Sequence, residues 1–278
     1  MAATAPWALA HGKSNVVAPA NASKVVPTRR ARDIGKGCLH LSLDMRAILA
    51  RYLTLVIKAL RLGTRERFLP YTPAMILIGM LDSPYVRRCA ISMKMMGIAF
   101  EHRPVSVFRH FEEFRKVNPV VKAPTLVCDD GTILMDSTLI LDYLEATVDP
   151  AARLLPVDLD GRRRALHVIG FALAAADKCV NIVYENEQRP KDKIHPAWLE
   201  RVVGQANTAV AQLEPMAARA KPWLHGDRFT ASDVMTAVAW RFGQYYNAAE
   251  IPAAQYPALV DYSRRAESLP EFASTPLD

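Results

Sequence analysis

MILIGMLDSPYVRRCAI, residues 75–91, decides the fold. Met75-Ile76-Leu77-Ile78-Gly79 is a short, unbroken apolar run and reads as a buried strand. Pro84 then opens a helix to about Met96, ended by Gly97. Proline suits a first helical turn because its missing N–H would have no partner there, and glycine suits the far end. Two further signals follow at short range. NPVVKAPTL at 118–126 sets Pro124 just before another strand, and DSTLILDYLE at 136–145 opens a helix behind Asp136-Ser137.

Working outward, Ala99 to Val105 reads as a strand and the stretch from Phe111 to Val117 as a short helix. Thr125 to Cys128 and Ile133 to Met135 flank Asp129-Asp130-Gly131, a β-turn signal. The order β-α-β-α-β-β-α over residues 75–149 predicts one four-stranded sheet covered by helices. Asp149-Pro150 and Leu155-Pro156 mark a linker. Residues 157–278 contain no good strand and read as an all-helical domain, with helices near 159–186, 196–220, 231–247 and 256–268. In the first of these, Ala165, Ile169, Ala172, Ala176, Cys179 and Val183 share a face. Phe229-Thr230-Ala231-Ser232-Asp233 is a capping box with Phe229 placed as a staple, so Thr230 and Asp233 read as structural.

The charge is uneven. The formal net charge is +7, yet residues 1–74 hold 12 Lys/Arg against 3 Asp/Glu, and the rest holds 23 against 25. The basic balance therefore belongs to the extension, and the α/β and helical parts offer no charge-based reason for a nucleic-acid partner. Residues 1–37 lack sustained periodicity and read as disordered. LDMRAILARYLTLVIKALRL, 43–62, is a basic amphipathic helix. Arg46, Arg51, Lys58 and Arg61 within that span argue against a transmembrane segment, and membrane contact is not the expected role. An upstream region translated ahead of a start at Met75 is the plainer reading of 1–74. Cys38, Cys89, Cys128 and Cys179 show neither C-x-x-C nor zinc-ligand spacing. The last three read as buried apolar residues, no metal is expected, and the expected compartment is the cytosol.

With SPYVRRCAI at 83–91, NPVVKAPTL at 118–126, DSTLILDYLE at 136–145 and FTASD at 229–233 in this order, the chain resembles a glutathione S-transferase over about residues 75–270. Ser-Pro-Tyr with its Arg pair is similar to the serine-type branches, including tau-like and bacterial members. The resemblance implies a thioredoxin-like domain joined to an all-helical one, glutathione as co-substrate, a small electrophile in a second pocket, and a homodimer. It places Ser83 at the catalytic position, as an O–H donor to the glutathione thiolate rather than a base. The plain alternative for Ser83 is an N-cap before Pro84.

The resemblance also assigns a peptide clamp. Pro124 matches a cis-proline, Ala123 would offer its backbone to the cysteinyl part of the tripeptide, and Lys122 would meet the glycine carboxylate or remain a solvated charge. Asp136-Ser137 matches a pair that is usually Glu-Ser. Ser137 and the helix start would hold the γ-glutamyl carboxylate, while Asp136, one methylene shorter than Glu, helps place the amino end or only caps the helix. Tyr85 lines the electrophile site or packs on the sheet. Arg87 and Arg88 support the site or form a solvated pair. Tyr184, Trp240 and Tyr245 are possible aromatic walls, with core packing the default. A noncatalytic glutathione-binding module and a glutathione-dependent peroxidase or reductase are the alternative functions.

Overall fold

The first strand is short because its apolar run is short. Met75–Ile78 (β1) buries Leu77 and Ile78 and lies at the centre of a four-stranded sheet ordered β2-β1-β3-β4. The computed structural model describes residues 75–277, all within one unit, Leu69–Asp278. The disordered stretch at 1–37, the amphipathic helix at 43–62 and Cys38 lie outside the described residues.

Helix α1 (Pro84–Met95) carries the chain from β1 to Phe100–Arg103 (β2), which pairs parallel to it with Met75 opposite Phe100. A parallel pair needs such a crossover. After α2 (Phe111–Val117), Thr125–Val127 (β3) returns antiparallel to β1 with Leu126 opposite Leu77. Ile133–Met135 (β4) forms the far edge, joined to β3 through a turn in which Gly131 has φ 84°. Helix α3 (Ser137–Thr147) covers the sheet beside α1.

Beyond the linker, α4 (Leu159–Val183), α5 (Pro196–Arg219), α6 (Ala231–Tyr246) and α7 (Pro257–Glu267) form a bundle, followed by a single turn, α8 (Pro270–Ala273). The sequence reading extends the first of these to 186. The α-helix ends instead at Val183 and widens into a π-turn, Tyr184–Gln188, where Glu185 is buried and holds Arg189 at 2.9 Å. The span Leu159–Gln188 is long and apolar enough to cross a membrane, but its apolar stripe, Ala165 to Ile182, is packed against α5 and α6.

Helix α6 is buried along almost its whole length and packs against α1, α4 and α7. Its entry is fixed by the capping box of Thr230 and Asp233. Asp233 also accepts from the Leu224 N–H at 2.8 Å and the Tyr262 hydroxyl at 2.5 Å. One fully buried carboxylate thus ties the start of α6 to the preceding loop and to α7. Phe229 stacks edge-on against Trp223 and Phe272 just outside it.

Removing that carboxylate strands a buried backbone N–H and a buried phenol at once. Asp233→Ala should cost about 3 kcal/mol or more in urea unfolding. A loss below about 1 kcal/mol, the size of one ordinary hydrogen bond, would contradict the network's role.

Candidate active site

Ser83 caps α1 with an extended backbone (φ −70°, ψ 124°), and its Oγ accepts from the Val86 N–H at 3.5 Å. That bond uses a lone pair and leaves the hydroxyl proton free to be donated outward. Capping and ligand contact are therefore compatible. The first-turn N–H groups and the positive end of the helix dipole favour negative charge at the same place. Gly79 makes the approach possible: with φ 139°, a Cβ there would fall 2.6 Å from Val86 Cγ2 and 3.1 Å from Ala123 Cβ.

The Ala123–Pro124 peptide is cis. Its loop is held by Asn118, whose amide nitrogen donates to Thr125 Oγ1 at 2.8 Å while its Oδ1 accepts from the Val120 N–H at 3.0 Å. The Thr125 hydroxyl in turn donates to the Lys122 carbonyl at 2.8 Å. Val121 sits at φ 54°, a costly conformation for a β-branched residue, so these bonds hold the loop in a shape its own backbone disfavours. Asn118 has no role in the sequence reading. The signal was present, since Asn before Pro commonly bonds the backbone two residues on.

Asp136 caps α3 at φ 73° and accepts from the Thr138 N–H at 2.9 Å. Partial burial pushes its carboxyl up, but the Thr138 N–H and the Lys122 ammonium outweigh this and hold it below the usual range. Lys122 Nζ lies 3.3 Å from Asp136 Oδ2. Two side chains assigned to different parts of a tripeptide are therefore paired with each other here. Both are about half exposed, so the pair is worth roughly 0–1 kcal/mol and opens readily.

The three local devices are connected. Arg88 on α1 donates to Ser137 Oγ at 3.4 Å, and the Cys89 thiol reaches the Ser137 carbonyl at 3.8 Å. Ser137 adjoins Asp136, Asp136 pairs with Lys122, and the Lys122-Ala123 loop closes on Gly79 beneath α1. The residues singled out in the three sequence signals are thus linked in one continuous ring of neighbours.

A solvated Arg87–Arg88 pair is not what the structure contains. Arg87 is 1% exposed, with a bidentate pair to Glu267 at 2.7 and 2.6 Å and a bond to the Thr275 carbonyl at 2.8 Å. Arg88 is 4% exposed and turns toward α3. Cys89 and Cys179 are buried, which pushes each thiol up to about 12, and Cys128 is buried as well. These thiols are inert at neutral pH.

Tyr85 is half-buried, and burial followed by the charge of Asp177 and the neighbouring Tyr184 raises its phenol well above the ordinary value. Tyr184 is exposed and meets Phe108 edge-on at 5.5 Å, so core packing is not its role. Tyr245 is also exposed, beside Tyr246, whose hydroxyl donates to Asp82 Oδ2 at 3.4 Å. Trp240 instead belongs to the core, against Tyr256. Phe108, Asp82 and Tyr246 are site neighbours that sequence reasoning did not find, because nothing local marks them. Among the described residues no cluster of His, Cys, Asp or Glu is arranged to hold a metal.

Residues 77–152 match the model of the glutathione S-transferase N-terminal domain. Over those residues the chain is similar to the glutathione S-transferase family. A glutathione S-transferase from Methylobacterium radiotolerans, solved with glutathione sulfonate, superposes with a TM-score of 0.67 at 27% identity, covering 73% of this chain and 94% of that one. A probable maleylacetoacetate isomerase 2 of Drosophila melanogaster is 26% identical over 66% of this chain and 80% of its own length. A zeta-class glutathione S-transferase of Euphorbia esula is 24% identical over 73% of this chain and 90% of its own. These similarities support the family at large, with zeta-class and bacterial members among the relatives, and do not single out a tau-like branch. The mixed α/β domain followed by an all-helical one is the glutathione-binding fold of catalytic glutathione transferases.

The phenol of Tyr85 stays protonated through neutral pH because both burial and its negative neighbours raise it. Tyr85→Phe should therefore leave the acid limb of the pH–rate profile for glutathione conjugation where it is. Displacement of that limb would show that Tyr85 titrates with the reacting group.

Proposed function

We propose that this transferase binds glutathione across the ring of Ser83, Lys122, Ala123, Pro124, Asp136 and Ser137 and adds its thiolate to a small, apolar electrophile. The observation that carries the reading is Ser83 Oγ at the start of α1. It lies where the positive end of the helix dipole and a spare hydroxyl proton favour a sulfur anion. Ser83 donates to the thiolate and does not act as a base, since an alcohol is a poor proton acceptor. Ala123 offers its main chain to the cysteinyl unit, Ser137 and the α3 start receive the γ-glutamyl carboxylate, and opening of the Lys122–Asp136 pair frees both side chains for ligand. Tyr85, Phe108, Tyr184 and Tyr246 supply the apolar walls of the electrophile side.

A charge-assisted hydrogen bond is worth about 1.5–3 kcal/mol. Ser83→Ala should lower kcat/KM with an aryl halide by roughly 10- to 100-fold while leaving much of the glutathione affinity, and Ser83→Thr should recover part of the rate. Unchanged turnover in Ser83→Ala would remove Ser83 from the mechanism. Relatives bearing the isomerase name favour a second use of the same thiolate, reversible addition across a double bond, which the same variants test on maleylacetoacetate.

The protein acts as a homodimer in this reading. Leu139 and Tyr143 on α3 are one turn apart and exposed, as are Leu159 and Leu166, two turns apart on α4. The Arg162–Asp142 contact at 3.8 Å brings the two helices side by side. An apolar cluster of this kind is covered economically by its own copy. Leu139→Glu combined with Leu159→Glu should give a monomer by light scattering, and a persistent dimer would exclude this face. With buried, unpaired thiols at Cys89, Cys128 and Cys179, the cytosol suits the chain.

A further inference from the structure

A tyrosine hydroxyl taken out of water needs a partner, and among the described residues the packed phenols have one. Tyr256 donates to Asn207 Oδ1 at 3.2 Å and Tyr262 to Asp233 Oδ1 at 2.5 Å. Tyr246 at the rim donates to Asp82, while Tyr184 and Tyr245 are exposed and reach water. Tyr85 departs from this pattern. Its ring is half-buried and packed on the core, yet its hydroxyl has no hydrogen-bond partner among the described residues.

The charged groups around that hydroxyl are engaged elsewhere. Asp177 on α4 holds the Lys178 ammonium at 2.9 Å and accepts from Asn181 Nδ2 at 3.3 Å. Asp136 accepts from the Thr138 N–H and pairs with Lys122. Arg88, the positive neighbour, has donors only. Burial and the two carboxylate charges keep the proton on the phenol through neutral pH. The packed ring thus holds an O–H donor in place with nothing in the described fold to receive its bond.

Its position gives the donor a use. Ser83 is the N-cap of α1 and Tyr85 the second residue of the same turn. On α4, Tyr184 lies two turns beyond Asp177 on one helix face and meets Phe108 edge-on. The phenol therefore neighbours the glutathione side through Asp136 and the aromatic electrophile side through Tyr184.

We propose that Tyr85 is a catalytic residue acting on the electrophile, donating to its carbonyl oxygen, and that the favoured substrates are α,β-unsaturated carbonyl compounds. The glutathione sulfur anion bonds to the β-carbon, the C=C pair shifts to join the α-carbon to the carbonyl carbon, and the C=O π pair moves onto oxygen. Tyr85 holds that enolate oxygen by a hydrogen bond and keeps its own proton. Water then protonates the α-carbon as the carbonyl reforms, balancing the proton that the thiol released to solvent. The inference rests on the sulfur-anion reading above and adds the class of compound that the sulfur attacks.

Initial-rate kinetics with glutathione and two probes test it: benzylideneacetone, an enone, and benzyl chloride, which takes sulfur by displacement and carries no oxygen. Tyr85→Phe keeps the ring and its packing. It should lower the ratio of kcat/KM for the enone to that for benzyl chloride by roughly 10- to 100-fold, the scale of a hydrogen bond to a charged group. Both rates are read from one preparation, so any loss of folded protein cancels from the ratio. Ser83→Ala should slow both probes alike. An unchanged ratio in Tyr85→Phe, whether both rates fall or neither does, overturns the proposal. So does wild type that turns over benzyl chloride and not the enone. If Ser83→Ala slows neither probe, the role of Ser83 falls and the Tyr85→Phe ratio still decides this proposal. Wild type that turns over neither probe overturns both.

Discussion

A helix that presents its first turn to a ligand while burying the rest must be gripped from several sides, and in α1 the grip is built on two buried guanidinium groups. Arg87 clamps the helix to the C-terminal turn through Glu267 and Thr275, 180 and 188 residues away in sequence. Arg88 clamps it to the start of α3. Between them, Val86, Cys89, Ala90 and Met93 are fully packed, and α6 covers the helix from the far side. The position of Ser83 is therefore set by contacts that reach both the sheet domain and the helical domain.

From that fixed helix the site follows with few additional parts. Gly79 lets β1 pass under Val86 and Ala123, which places the cis-proline loop against the first turn. Asn118 and Thr125 hold that loop in shape from behind. The proposed reading separates sulfur activation and carboxylate recognition onto two helix starts, α1 and α3. Each supplies the positive end of a helix dipole and a serine whose oxygen is already engaged as an acceptor, so that its proton is available to a ligand. The one exposed charge pair in the ring, Lys122–Asp136, is also its weakest link, which suits a part that must yield when the tripeptide enters.

What was legible in the sequence was local. A proline at N1, a glycine at a helix end, an Asp-Asp-Gly turn and a capping box act within a few residues, and the helices and strands appear where those signals put them. The order of the motifs also marked the candidate site residues, since each sits at a cap or a turn. Illegible were the contacts made across long separations. Nothing near Arg87 or Arg88 says that one finds a carboxylate on α7 and the other a serine on α3, and as an adjacent charged pair they read equally well as solvent-facing. The same holds for Tyr184. Its apolar ring suits a core by composition, but the π-turn after Val183 carries it to the surface beside Phe108.

The central claim is that the start of α1 stabilises a glutathione thiolate. Titrating the thiolate ultraviolet absorbance of bound glutathione against pH tests it most directly. A free thiol has a pKa near 8.5, and binding here should lower it by about 1–2 units, equivalent to roughly 1.4–2.7 kcal/mol. A bound thiol that titrates like the free peptide would contradict the account.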